Sequence, residues 1–224
     1  MKRKVIIKFA LGTSLFLLFI MYTLSLTFAD IQPIGPRGSF VAYASINKAI
    51  HELLGVNMTL YNITDAAGVV AIFVAFGFAL LGLCQWIKGR SIKRVDHSIL
   101  VLGIFYIVVF GTYVFFEFNV INYRPVLING LLEVSYPSST TMLAMCVFPT
   151  AIMQFNRLIQ NYRIKCAINA LCTLFTAFML IGRLLSGVHW FTDILGGLIF
   201  SIAMILLYSS ADSFIYMKSN NKRN

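Results

Sequence analysis

Charged residues are scarce in this chain. They make up 12% of its 224 residues, and only 8 residues are acidic. Soluble globular domains usually contain about 25% charged residues. With 59% hydrophobic residues and a mean hydropathy of +0.83, the sequence is too apolar for an ordinary soluble domain. The composition therefore indicates an integral membrane protein.

Cysteine and histidine are also rare, with 4 and 3 residues respectively. The cysteines lie within or beside apolar stretches, where disulfides are not expected to persist. The sequence has no Cys-x-x-Cys pair and no histidine-rich run. We therefore expect no disulfide framework, no metal site and no cofactor.

The chain has a net charge of +10, but it has no basic stripe of the kind that binds nucleic acid. Its Lys and Arg residues are spread over several short segments between apolar stretches. Such segments set membrane topology and contact anionic lipid headgroups. We expect membrane lipids as partners and no nucleic acid.

Six apolar stretches approach or exceed the roughly 20 residues that cross a bilayer as a helix. We predict a single all-α domain over residues 1–224, a bundle of six transmembrane helices at about 9–28, 66–87, 98–118, 138–155, 166–185 and 193–214. Between the first two spans, apolar residues recur at helical spacing over 39–54. This pattern predicts a short interfacial helix that forms a lid or gate, or alternatively packs across the mouth of the bundle.

The basic residues predict the orientation, because Lys and Arg concentrate on the cytoplasmic side. With the N-terminus inside, all but four of the 18 basic residues lie in cytoplasmic segments, and these include Lys222 and Arg223 near the C-terminus. The four on the outer side are Arg37, Lys48, Arg124 and Arg183. We therefore predict two cytoplasmic termini and a site facing the extracytoplasmic side.

The strongest functional pattern is Arg183, His189 and Asp193 at the junction of the last two apolar stretches. A histidine and an aspartate four residues apart lie on one face of a helix, so the carboxylate is expected to orient the imidazole. An oriented imidazole is suited to act as a nucleophile or base. The guanidinium of Arg183 has the planar fork that matches phosphate oxygens.

A second pattern lies in the outer segment 119–137, which contains Arg124 and leads into Pro137-Ser138-Ser139-Thr140 before the fourth span. Proline and small hydroxyl residues at a helix start leave backbone N–H groups free, and the helix dipole favours an anion there. The alternative is that Pro137 and Ser138 simply cap a transmembrane helix. The predicted topology places this segment on the same side as His189.

Together these residues resemble the type 2 phosphatidic acid phosphatase superfamily, whose signature reads K-x6-R-P, then P-S-G-H, then S-R-x5-H-x3-D. The chain retains Arg124-Pro125, Pro137-Ser138, and Arg183, His189 and Asp193 at full spacing. The resemblance implies six spans and phosphoryl transfer to His189, with Asp193 as its orienting partner. It also implies that Arg124, Arg183 and Ser138 bind phosphate. We expect Ser139 and Thr140, in the same segment as Ser138, to bind the substrate as well.

Three signature positions differ: Glu117 replaces the lysine, Thr140 the second-part histidine, and Gly182 the serine. The resemblance assigns that histidine to general-acid chemistry, which threonine does not perform near neutral pH. We expect Glu117 to support the site by pairing with Arg124 or Arg183, or by carrying a proton.

The predicted function is a membrane lipid phosphatase that uses a phosphohistidine intermediate. A diphosphate releases a weakly basic phosphate monoester that needs little protonation, so the best substrate hypothesis is undecaprenyl diphosphate. Two alternatives remain open. One is a non-catalytic protein that binds lipid phosphates, and the other is a phosphotransferase that uses the same histidine.

Overall fold

The computed structural model describes residues 2–220, and within them the chain is helical, with isolated β-bridges in place of strands. The seven α-helices are α1 (Lys2–Ser25), α2 (Ala44–Leu54), α3 (Met58–Gly89), α4 (His97–Phe118), α5 (Ser139–Leu158), α6 (Tyr162–Leu185) and α7 (Phe191–Asn220). Lys222 and Arg223, which the sequence places on the cytoplasmic side, lie outside the described residues.

Five of the described helices are long and apolar enough to cross a membrane: α1, α3, α4, α6 and α7. The fourth predicted span, α5, is shorter at 20 residues and contains the buried polar residues Thr141, Thr150 and Gln154. It packs against α3, α4, α6 and α7. A helix enclosed by other helices need not present an apolar surface to lipid, which explains its lower hydropathy.

The long helices run alternately up and down, so both ends of the described chain lie at the same end of the bundle. There, Lys8 of α1 donates a hydrogen bond to Ser209 of α7 at 2.8 Å, and Ser210 donates to the carbonyl of Val5 at 3.0 Å. The opposite end, which we call the site end, carries the α6–α7 turn with His189.

The helices overlap the predicted apolar stretches but extend beyond several of them. The second begins at Met58 rather than 66, and the fifth begins at Tyr162 rather than 166. Hydropathy marks the apolar part of a helix, and the polar residues Asn62, Thr64 and Asp65 near the start of α3 lie outside this signal. Side chains near Asp65 consequently belong to a helix and not to a loop.

The short helix predicted over 39–54 forms as α2, from Ala44 to Leu54. It is fastened at the site end through Asn47, which is fully buried. The Asn47 amide donates to the carbonyl of Ala42 at 2.8 Å and to the hydroxyl of Thr192 at 2.9 Å, and its oxygen accepts the Thr192 N–H at 3.2 Å. These contacts favour the alternative in which the helix packs across the mouth of the bundle.

Candidate active site

The segment between α4 and α5 folds into a hairpin that positions several polar side chains. Its tip is Asn129-Gly130, where both residues have positive φ, and Ile128 and Leu131 exchange backbone hydrogen bonds around it. An Asn-Gly pair is the preferred sequence for such a turn. The hairpin pairs the Arg124 N–H with the Glu133 carbonyl and the Ser135 N–H with the Asn122 carbonyl.

Arg124 from this hairpin and Arg183 from the end of α6 meet at one nitrogen of His189. Nη2 of Arg183 lies 3.0 Å from Nε2 of His189, and Nη1 of Arg124 lies 3.4 Å from the same atom. All three residues are buried, with 0% exposure for Arg183, 8% for Arg124 and 4% for His189. The predicted convergence of these distant chain segments is therefore present in the structure.

The two guanidinium groups also share the aromatic ring of Tyr61 on α3. The Cζ atoms of Arg124 and Arg183 lie 5.7 Å and 4.9 Å from the ring centroid. Contacts of this kind favour a cation over the ring face. The Nε atoms of both arginines are buried and have no hydrogen-bond partner among the described residues. The Nε–H of Arg183 is therefore a donor available to an added acceptor, whereas Nε of Arg124 lies beside the Glu133 carboxylate.

The other ring nitrogen of His189, Nδ1, contacts Ser135 twice. It lies 3.2 Å from the Ser135 carbonyl oxygen and 3.0 Å from the Ser135 hydroxyl oxygen. A carbonyl oxygen only accepts hydrogen bonds, so this contact assigns the proton to Nδ1. The lone pair of the neutral imidazole is then on Nε2, beside the two arginines.

Asp193 reaches His189 through Ser135 and not directly, which corrects the prediction of a direct pair on one helical face. His189 lies in the turn before α7, and its Nδ1 is 4.0 Å from the nearer Asp193 carboxylate oxygen. The Ser135 hydroxyl donates to that oxygen at 2.5 Å. The Asn122 amide and the Trp190 backbone N–H also donate to the carboxylate, at 3.1 Å and 2.9 Å.

The surroundings of His189 favour its neutral form. Burial lowers the pKa of His189 well below its usual range, and the charges of Arg124 and Arg183 lower it further. The Ser135 carbonyl acts in the opposite direction but does not offset these effects. A neutral imidazole with its lone pair on Nε2 is the form required of a nitrogen nucleophile.

The carboxylates beside the arginines are Glu133 and Asp65, which corrects the prediction that Glu117 pairs with Arg124 or Arg183. Glu133 Oε2 lies 3.1 Å from Nε of Arg124, as an ion pair without hydrogen-bond geometry. Asp65 Oδ1 on α3 lies 3.4 Å from Nη1 of Arg183. Glu117 is exposed in the last turn of α4 and makes no ion pair among the described residues. Its side chain therefore does not hold either arginine.

Residues 105–215 match the PAP2 superfamily, and this stretch includes all seven retained signature residues. The chain belongs to the PAP2 superfamily. No curated protein sequence matches it. Among solved structures, the fold is similar to a crystal structure from Bacillus subtilis described as the first transmembrane PAP2 type phosphatidylglycerolphosphate phosphatase. The TM-score is 0.57 at 20% identity, covering 89% of this chain and 94% of that one, so the similarity concerns the fold.

In this PAP2 chain, the residues at the start of α5 point in two directions. Ser138 is buried beside α7, where its N–H donates to the Asp193 carbonyl at 3.2 Å and its hydroxyl lies 3.0 Å from that of Thr141. Its side chain does not cap the helix. Thr140 instead faces α3, because a Cβ on Gly68 would lie 3.0 Å from the Thr140 methyl carbon.

An apolar cavity of about 430 Å³ extends from Thr140 into the bundle between α3, α4 and α5. Its polar end is lined by Asp65, Ser139 and Thr140. A second apolar cavity of about 1030 Å³ lies between α3 and α4 and shares Ile72, Ala75, Tyr106 and Phe110 with the first. The two cavities adjoin at these shared residues, and we call them together the apolar groove; Asp65, at its polar end, contacts Arg183.

Hydropathy and residue spacing did not assign Ser135, Asn122, Glu133 or Asp65 to the site. The Asn129-Gly130 pair was an available signal for the first three, because it predicts a hairpin that brings its two arms together. No comparable signal predicted a role for Asp65, because its charge places it just outside the apolar stretch that begins at residue 66. Within residues 2–220, no three His, Cys, Asp or Glu side chains gather in a geometry that would hold a metal ion.

Proposed function

We propose that this chain is an integral membrane phosphatase that hydrolyses a lipid phosphate or diphosphate, with His189 as the nucleophile. The observation that carries the proposal is that two buried guanidinium groups contact the same unprotonated nitrogen of one imidazole. Two like charges held this close in a buried site favour an anion between them. A phosphoryl group there would meet the donors of both arginines and the lone pair of Nε2.

In the first step, Nε2 of His189 attacks phosphorus and the bond to the leaving oxygen breaks. The guanidinium groups of Arg124 and Arg183 stabilise the charge on the equatorial oxygens, and the unpartnered Nε–H of Arg183 provides a further donor. Ser138 and the N-terminus of α5 are additional phosphate contacts that we propose from the resemblance and the helix dipole.

The Ser135 and Asp193 contacts assist this step by retaining the proton on Nδ1. As Nε2 bonds to phosphorus, positive charge develops on the ring, and the Asp193 carboxylate stabilises it through the Ser135 hydroxyl. Water then hydrolyses the phosphohistidine and releases inorganic phosphate. The imidazole regains its lone pair on Nε2.

We propose a lipid diphosphate, such as undecaprenyl diphosphate, as the substrate. Thr140 offers no proton donor near neutral pH, and a phosphate monoester leaving group needs little protonation. The apolar groove supports a long hydrocarbon chain, because it continues from Thr140 along α3 and α4 through both cavities.

We also propose that α1, α3, α4, α5, α6 and α7 form six spans, with both termini cytoplasmic and the site on the extracytoplasmic side. The basic segments at the end opposite His189 support this orientation, since they include Lys4, Lys93, Arg157 and Lys165.

The decisive test is phosphate release in detergent from phosphatidic acid, phosphatidylglycerophosphate and undecaprenyl diphosphate, measured with malachite green. We expect wild-type protein to be most active on the diphosphate and His189→Ala to release no phosphate. His97→Ala is the matched control, since His97 lies at the opposite end of α4 and should leave activity unchanged. Undiminished release by His189→Ala would refute the assignment, and binding of labelled lipid without turnover would indicate a non-catalytic protein.

A further inference from the structure

We propose that Asp65 is the general base that activates the water molecule for hydrolysis of the phosphohistidine. This inference rests on the proposed function, because it assigns a residue to the second of its two steps. That step requires a group that takes a proton from water as the oxygen bonds to phosphorus. Thr140 has no side-chain group that ionises near neutral pH.

Asp65 is linked to the nucleophile through a single guanidinium group. Its Oδ1 lies 3.4 Å from Nη1 of Arg183, while Nη2 of the same guanidinium lies 3.0 Å from Nε2 of His189. A phosphoryl group carried on Nε2 and bound by Arg183 therefore lies next to the Asp65 carboxylate.

The apolar groove fixes the side from which water approaches. Asp65 lies at the polar end of the 430 Å³ cavity, together with Ser139 and Thr140. If the lipid chain occupies this cavity, the leaving oxygen lies between the phosphoryl group and the cavity, beside Asp65. In an in-line reaction, the water that attacks the phosphohistidine enters where the leaving group departed. The carboxylate is therefore on the correct side to receive its proton.

Water access and charge also favour Asp65 over Glu133 as the general base. The Asp65 side chain is 55% exposed, so water reaches it, whereas the Arg183 side chain beside it is fully buried. As the ion-pair partner of Arg183, Asp65 provides the carboxylate form that accepts a proton. Glu133 contacts Arg124 instead and does not line the cavity. Arg124 lies close to this pair, since it shares the Tyr61 ring with Arg183.

Hydrolysis of the phosphohistidine moves one proton to Asp65 and returns one electron pair to His189. The water oxygen forms a bond to phosphorus, and one water proton moves to a carboxylate oxygen of Asp65. The P–Nε2 bond breaks, and its electron pair returns to Nε2 of His189. Asp65 then releases the proton to solvent as inorganic phosphate leaves. No oxidant, metal or second acceptor enters the balance.

Rapid-quench kinetics with polyprenyl diphosphate labelled with ³²P on its terminal phosphate test this assignment. For Asp65→Asn, we expect a stoichiometric burst of labelled protein with the alkali-stable, acid-labile character of phosphohistidine. Release of inorganic phosphate should then be about 100-fold slower or more, since general bases contribute about 100- to 10,000-fold. Asp65→Glu should restore part of the rate of phosphate release.

Glu117→Gln is the matched control, because Glu117 is an exposed carboxylate at the site end with no described ion pair. It should show wild-type phosphate release. Wild-type turnover by Asp65→Asn would overturn the proposal. Loss of phosphohistidine formation in Asp65→Asn and Asp65→Glu alike would also overturn it, because Asp65 would then only hold Arg183. If wild-type protein forms neither phosphohistidine nor inorganic phosphate, the proposed function itself fails.

Discussion

Nη2 of Arg183, near the end of α6, lies 3.0 Å from Nε2 of His189, which lies in the turn that follows this helix. The contact places a permanent positive charge at the nitrogen that carries the lone pair. An arginine in this position lowers the basicity of the imidazole and binds the anion that the imidazole attacks. Both effects are accessible to measurement.

Replacing Arg183 with lysine is expected to reduce kcat/KM about 100-fold, in the range found when one preorganised donor to a transition state is removed. Lysine retains the charge but lacks the planar fork that contacts His189 and Asp65 simultaneously. Steady-state phosphate release measures the change. Arg94→Lys, at an exposed position near the opposite end, is the control and should have no effect. Equal rates for Arg183→Lys and wild type would show that charge alone is sufficient.

Ser135→Ala should lower kcat about 10- to 100-fold with little change in KM, because a buried hydrogen bond to a charged group contributes about 1.5–3 kcal/mol. The substitution removes the hydroxyl that connects His189 with Asp193. Ser135→Thr retains a hydroxyl and should recover part of the activity.

Ser210→Ala is the control for this experiment. Its hydroxyl is also buried and donates a hydrogen bond, but to the Val5 carbonyl at the other end of the bundle. Unchanged kcat for Ser135→Ala would indicate that Asp193 contacts His189 directly during turnover.

The acid limb of the kcat/KM profile should lie below the ordinary histidine pKa of about 6.5. The pKa of His189 is lowered, chiefly by burial and then by Arg124 and Arg183, so the reactive neutral form persists as the pH falls. In Arg124→Gln, one positive charge is removed and the acid limb should move to higher pH. An acid limb at or above pH 6.5 in wild-type protein would contradict the described environment.

Gly187→Ala is expected to lower both the thermal midpoint and the activity. Gly187 has a φ of +66°, and a Cβ there would lie 1.9 Å from the Gly55 carbonyl oxygen. The turn must therefore shift, and His189 follows two residues later. Differential scanning fluorimetry and phosphate release report the two effects.

Gly38→Ala separates backbone strain from the steric clash. Gly38 has a similar φ of +74°, but no atom lies within 4 Å of a Cβ built there. This variant should show only the modest cost of a non-glycine residue at positive φ, about 1 kcal/mol. Equal thermal midpoints for the two variants would mean that the contact with Gly55 is unimportant.

The sequence predicted most of the helical architecture because lipid-facing segments must be apolar. It also predicted that Arg124 and His189 would meet, since charge distribution placed both on one side of the membrane. The spacing of His189 and Asp193 led to a wrong prediction, namely a direct contact on one face of a helix. Four residues correspond to a helical turn only when both lie in a helix, and α7 begins between them at Phe191.

Hydropathy could not predict the contacts that form when the α4–α5 segment folds. Ser135 and Glu133 reach the site because the hairpin brings its second arm back beside Arg124. Asp65 depends on α3 extending beyond its apolar core to Met58. In each case the contact arises from backbone pairing or helix length, which apolar periodicity does not encode.

The attachment of α2 restricts the route by which a substrate reaches the site. Asn47 and Thr192 are joined by buried hydrogen bonds, and Thr192 immediately precedes Asp193. Moving α2 outward would leave the buried amide and hydroxyl groups without hydrogen-bond partners, at a free-energy cost of about 1–3 kcal/mol for each group. A compound dissolved in the bilayer can instead diffuse laterally into the site along the apolar groove between α3 and α4. Encounter rates should therefore follow the mole fraction of the compound in the surrounding lipid or micelle, and not its bulk aqueous concentration.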